Sequence, residues 1–157
     1  MTETKKKACC FFGHRHIYDK DGSLYNLLVK QVERLIGNGF NEFLFGGYGD
    51  FDSLSHRAIK RLKEKYPHIK TAYYQSYYKP KDERMEYISK QYDSVIYPAI
   101  EERPKKFAIR YCNEAIIDDS DFCVFYVERS YGGALQAMQY AKRKKKASVN
   151  LAEQLRG

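Results

Sequence analysis

Three short glycine turns carry the residues best suited to chemistry: Gly13-His14-Arg15, Gly46-Gly47-Tyr48-Gly49 and Tyr131-Gly132-Gly133. Each stands where an apolar run gives way to a helical pattern. Glycine at such a junction permits positive φ and close backbone approach. The helix that follows offers unpaired N–H groups and a partial positive charge. That combination suits an anion, phosphate above all, although glycine also ends strands for purely steric reasons. Arg15 can fork onto a phosphate or carboxylate, with a surface ion pair as the plainer alternative. Arg110 and Asn113 lie three residues apart, facing the same way as Ile117 on a helix whose other side is apolar. Asp118, Asp119 and Asp121 crowd the end of that helix; Asp119 and Asp121 suit plain helix termination, yet the dipole there disfavours carboxylates, which suggests that something compensates them. His14 and His16 form a His-x-His pair with no third metal ligand nearby in sequence. His14 is expected to hydrogen-bond a ligand or the loop backbone, and His56 and His68 to lie at the surface. Cys9, Cys10, Cys112 and Cys123 show neither a CxxC pair nor zinc-ligand spacing. They sit in apolar patterns, as reduced buried thiols of a cytoplasmic protein do. No metal and no cofactor is expected.

The elements that position these residues follow from hydrophobic periodicity. Strands are expected over Ala8–Phe12, Phe40–Phe45, Ile69–Tyr74, Ser94–Tyr97, Phe122–Val127 and Ser148–Leu151. Between them, Leu24 to Ile36 recur at helical spacing before Gly37-Asn38-Gly39 closes the helix. Further helices are expected from about Asp52 to Pro67, over Lys81–Gln91, over Lys105–Asp118 and from Gly132-Gly133 onward. Repeated strand–helix units of this length imply right-handed crossovers. The expected fold is α/β, a single Rossmann-like domain with a mostly parallel sheet and helices on both faces. It would span 1–157, with a core over about 8–152 and a basic tail at 1–7. In such a sheet ligands sit at the carboxyl ends of the strands, where all three glycine turns fall. The glycines match neither G-x-G-x-x-G nor a P-loop, which disfavours a standard NAD enzyme and a P-loop NTPase.

Charge narrows the classes further. The 157 residues carry a formal charge of +8, and Lys5–Lys7 with Lys142–Lys146 hold as many cations as the whole excess. The remainder is neutral, which argues against a uniformly basic nucleic-acid coat. No apolar stretch approaches the ~18 to 20 residues that span a bilayer. Ala8–Phe12 is too short for the apolar core of a signal peptide. A membrane partner is therefore not expected.

The strings Cys9-Cys10-Phe11-Phe12-Gly13-His14-Arg15, Gly46-Gly47-Tyr48-Gly49-Asp50-Phe51-Asp52, Arg110 through Asn113 to Asp121, and Gly132-Gly133 resemble the SLOG superfamily, closest to its YpsA-like branch. That group also contains the DprA/Smf DNA-processing proteins and the LOG phosphoribohydrolases. The resemblance covers about residues 8–150 and implies a pocket for a nucleotide or nucleotide-derived ligand. Carried over position by position, it implies ligand contacts at Gly13, His14, Arg15, Gly46, Gly47, Asp52, Gly132 and Gly133. Arg110 matches the helix arginine that LOG enzymes place near the ribose phosphate, and Asn113 shares its flank. The LOG signature Pro-Gly-Gly-x-Gly-Thr-x-x-Glu is broken: Gln136 falls where the glutamate would be. An amide cannot act as general base or balance an oxocarbenium charge. Either the chemistry is absent, which is the favoured reading, or another acid such as Glu128 supplies it.

Three functions stay open. The first is a sensing or regulatory nucleotide-binding module without catalysis. The second is a nucleoside-monophosphate phosphoribohydrolase that uses Arg110 and Glu128. The third, less favoured, is DprA-like nucleic-acid binding through 142–146 and Tyr73, Tyr74, Tyr77 and Tyr78. The oligomeric state is open, a homo-oligomer included.

Overall fold

The structure, a computed structural model, describes residues 5–47, 49–76, 83–98 and 104–156. The run Ala8–Gly13 (β1) supplies both faces of the sheet. Cys9 and Phe11 enter one core and Ala8 and Cys10 the other. Alternate side chains of a strand point to opposite faces, so a run buried on both must be central. Glu42–Phe45 (β2), Lys70–Tyr74 (β3), Ser94–Ile96 (β4), Phe122–Tyr126 (β5) and Ala147–Asn150 (β6) complete a six-stranded sheet in the order β4-β3-β2-β1-β5-β6. Every adjacent pair is parallel.

The helices are Ser23–Gly37 (α1), Gly49–Lys65 (α2), Glu83–Gln91 (α3), Ala108–Asp118 (α4), Gly133–Arg143 (α5) and Leu151–Arg156 (α6), with a 3-10 turn over Lys105–Phe107 before α4. Leu24, Leu28, Val32 and Leu35 of α1 meet Phe51, Ala58 and Ile59 of α2 over one face of the sheet. Cys112, Ile116 and Ile117 of α4 meet Ala137 and Ala141 of α5 over the other. The expected α/β Rossmann-like architecture is the one observed.

Boundaries moved where a polar side chain or a turn intervened. Phe40 is buried but precedes β2, because its N–H closes α1 on the Leu35 carbonyl at 3.0 Å. The sixth strand stops at Asn150 and Leu151 opens a helix. Asn150 Oδ1 accepts the Ala152 N–H at 3.2 Å, as an N-cap does. The same amide bridges to both backbone groups of Val127, each at 3.0 Å. The first residues of the expected third helix, 81 and 82, lie outside the described residues, as do Tyr77 and Tyr78.

The acidic cluster after α4 is compensated by hydrogen bonds. Asp119 accepts the Tyr74 hydroxyl at 2.6 Å, Asp118 the Tyr140 hydroxyl at 2.8 Å and Asp121 the Ala8 N–H at 2.9 Å. His56 is not a surface residue. It is half-buried, with its ring 4.3 Å from that of Tyr92 and its Nε2 3.1 Å from the Gln91 carbonyl. Tyr74 is 1% exposed and has no face to offer a base, because it fills the core beneath the sheet.

Candidate ligand-binding cleft

From β1 the chain builds outward through β2 and β3 to β4, then returns to lay β5 on the other flank of β1. The loops leaving β1 and β5 therefore part in opposite directions, and a crevice opens above the strand ends. A cavity of about 290 Å³ fills it.

Each wall is fixed by a local interaction that the sequence dictates. Gly13 ends β1 against the fully buried Phe51 of α2. A Cβ at Gly13 would stand 2.3 Å from that ring, so only glycine fits without displacement. His14, 7% exposed, accepts the backbone N–H groups of Glu128 and Arg129 on Nε2, at 2.8 and 3.3 Å. That puts its proton on Nδ1 and ties the β1 loop to the β5 loop. Burial, and then the nearby Arg129 charge, lower its pKa, so His14 is neutral at physiological pH.

The first turn of α2 holds the loops after β1 and β2. The Asp50 N–H donates to the Arg15 carbonyl at 2.8 Å, and the Asp50 carboxylate accepts the Ile17 N–H at 2.9 Å. Gly49, at φ +89, lets the Arg15 backbone come this close; a Cβ there would lie 2.7 Å from its Cα. Two residues on, the Asp52 carboxylate accepts the backbone N–H groups of Gly46 and Gly47. Asp52 is 7% exposed, and burial pushes its pKa up to about 7 against the opposing pull of those two bonds. Gly47 itself, at φ +77, packs beneath Tyr73.

Of the ten residues expected to contact a ligand, Gly13, His14, Arg15, Gly46, Asp52, Asn113, Gly132 and Gly133 line this one cavity. Gly47 and Arg110 do not. Gly47 acts behind the wall through Asp52. Arg110 is exposed, with Nε 3.3 Å from Glu114, and opens onto a neighbouring groove between α4 and α5 with Asn113, Ile117 and Gln136. Arg110, Asn113 and Ile117 do share a flank, and that flank faces α5. Glu128 is exposed, accepts the Tyr126 hydroxyl at 3.1 Å and is absent from the cavity lining.

Arg129, Tyr131, Ile109 and Ala134 also line the cavity and were not expected to. Arg129 and Tyr131 follow β5 directly, so their place in a strand-to-helix loop was the available signal. Ile109 has no such signal, since its position depends on how α4 crosses the sheet. Among the described residues neither Arg15 nor Arg129 pairs with a carboxylate. Gly132, at φ +106, and Gly133 open α5 with nothing within 4 Å of a would-be Cβ. The cleft thus presents backbone donors and two guanidinium groups that pair with no carboxylate among the described residues, around one buried carboxylate. Among the described residues no group of three or more His, Cys, Asp or Glu could hold a metal ion.

A crevice of this kind at a sheet switch point is the mark of a Rossmann-like fold, and nearly the whole chain agrees with one family. Residues 7–155 match the family model of the YspA SLOG family, and the chain belongs to that family. No curated protein matches the sequence. Among solved structures, DNA processing protein A (DprA) from Streptococcus pneumoniae superposes with a TM-score of 0.63 at 17% identity, covering 91% of this chain and 49% of that one. DprA from Helicobacter pylori, described as having a unique single-stranded DNA binding mode, gives 0.63 at 13% identity over 90% of this chain and 63% of its own. The protein TM1055 gives 0.59 at 9% identity, covering 90% of this chain and 72% of that one. This chain spans about half the length of the Streptococcus DprA. Identities this low bear on the fold alone. Among the described residues no helix is long and apolar enough to cross a membrane.

Proposed function

We propose that the cleft binds a nucleotide or nucleotide-derived ligand and that the protein is a cytoplasmic sensing or regulatory module without catalysis. The observation that carries this reading is the convergence of three separate glycine turns on one cavity between β1 and β5. Arg15 and Arg129 there have no carboxylate partner among the described residues. Phosphate is the anion such turns accommodate best, through backbone N–H groups and the N-terminus of α5. The non-catalytic part of the reading is supported by Gln136, an amide where a carboxylate would be needed, and by Glu128 standing outside the cavity lining.

A thermal-shift panel of nucleotides tests the reading. Ligand at about 100 Kd adds about 2.7 kcal/mol. For a domain of this size that raises the melting temperature by about 5–11 °C. Gly133→Leu, which fills open space at the cleft mouth, should abolish the shift while leaving the unliganded melting temperature nearly unchanged. No shift with any nucleotide or sugar phosphate contradicts it.

A second reading, phosphoribohydrolase activity, has one observation in its favour: Asp52 is a buried carboxylate in the cleft, titrating near neutrality. Chromatography for free base after incubation with nucleoside monophosphates decides it. Nucleic-acid binding draws on the single-stranded DNA binding described for the Helicobacter DprA. Here it would fall to the 142–146 run, and its affinity should drop steeply with added salt.

A further inference from the structure

The charges in the cleft are not evenly spread. Across the strand ends, from β2 through β1 to β5, the cavity runs from Gly46 and Asp52, past His14 and Arg15, to Arg129 and Gly133. Neighbouring strands lie about 4.8 Å apart, so the two ends are separated by about 10 Å. The β5 end offers a guanidinium and the first N–H groups of α5, which suit an anion. The β2 end offers the opposite, a buried carboxylate.

Asp52 has no cation paired with it among the described residues. Its hydrogen-bond partners among the described residues are the N–H groups of Gly46 and Gly47. An ionised carboxylate has about four acceptor positions. These two bonds, counted among the described residues, leave acceptor capacity at a group that lines the cavity. Buried polar groups find hydrogen-bond partners, so a ligand entering here must bring donors to this end. A second phosphate would be repelled. A cationic donor would satisfy Asp52 but would meet Arg15 and Arg129 in the same small cavity. Hydroxyl groups meet both conditions, since they donate and carry no charge.

We infer that Asp52 reads free sugar hydroxyls, so that the cleft selects a phosphorylated ribose whose diol lies at the β2 end and whose phosphate lies beside Arg129 and the start of α5. This rests on the nucleotide reading above and adds to it the orientation of the ligand and the group that sets specificity.

The test is calorimetric binding of AMP, GMP, CMP and UMP and their 2′,3′-dideoxy counterparts to the wild-type chain and to Asp52→Asn. A hydrogen bond to a charged acceptor is worth roughly 10- to 100-fold in affinity. The wild type should bind at least one monophosphate that much more tightly than its dideoxy form. Asp52→Asn keeps an acceptor for the glycine turn and should lose most of that discrimination while still binding the phosphate. Equal wild-type affinity for the two forms overturns the inference and leaves nucleotide binding standing. Full discrimination in Asp52→Asn also overturns it. If Asp52→Asn does not fold, the wild-type comparison decides alone. If no monophosphate binds, the nucleotide reading falls and the inference falls with it.

Discussion

Asp52 is a carboxyl held under electrostatic tension by burial, and its stability cost has a definite sign. Its carboxyl is pushed up to about 7 in the fold, against 3.8 for an unperturbed aspartate. Between those values the folded chain keeps a proton that the unfolded chain has released. Stability attributable to this group therefore falls as pH rises from about 4 to about 7, and then levels off. Asp52→Asn removes that dependence. Relative to wild type, the variant should gain on the order of 2–4 kcal/mol between pH 4 and pH 8. Urea titrations of both chains at the two pH values measure it, and parallel behaviour would show that the carboxyl is not perturbed. The glycines divide just as clearly. Gly13→Ala drives a Cβ into the buried Phe51 ring. It should cost about 1–3 kcal/mol, or about 2–12 °C in melting temperature. Gly133→Ala meets open space and a helix start, so its melting temperature should hold or rise slightly. The opposite ranking in a thermal melt would contradict the packing described.

At the scale of elements, the sheet was legible because buried parallel strands are short, uninterrupted apolar runs, and Ala8–Phe12 and Phe122–Val127 read that way directly. The helices were legible from spacing, as with Leu24, Leu28 and Val32. What the sequence hid were contacts across the fold. Nothing near Asp50 in the chain announces that it will hold Ile17, since that bond depends on α2 returning against the β1 loop. Arg129 carried no motif and entered the cleft only because β5 lies beside β1. His56 looked like a surface residue because its aromatic partners, Phe45 and Tyr92, come from other elements. The interlock between elements is testable at His14. His14→Ala leaves the Glu128 and Arg129 N–H groups without their acceptor, which should cost about 1–3 kcal/mol. Amide exchange should speed up at 128 and 129 before it does in the core strands. Unchanged exchange there would mean that the two loops are held by something else.

For the whole molecule, the net charge of +8 and the cleft are separate features. Much of the excess is anchored in place: Lys6 lies 3.5 Å from Glu42, Lys7 donates to the Asn38 carbonyl and Lys146 to that of Asp118. Arg143 and Lys144 lie over the Tyr140 ring at 5.7 and 5.5 Å. The cations that matter for the proposed ligand are Arg15 and Arg129, at the strand ends. Replacing Lys142, Lys144 and Lys145 with glutamine should leave nucleoside-monophosphate affinity within about twofold, because exposed charges beyond a Debye length of about 10 Å are screened. A large loss on calorimetry would move the site toward that run. The central claim is that the β1/β5 crevice is the ligand site, and backbone amide chemical-shift mapping during titration with AMP, GMP, CMP and UMP tests it most directly. The account predicts saturable shifts concentrated at Gly13, Arg15, Gly46, Arg129, Gly132 and Gly133, with α1 and β6 silent. Saturable shifts confined to the α4/α5 groove or to 142–146, or none at all, would contradict it.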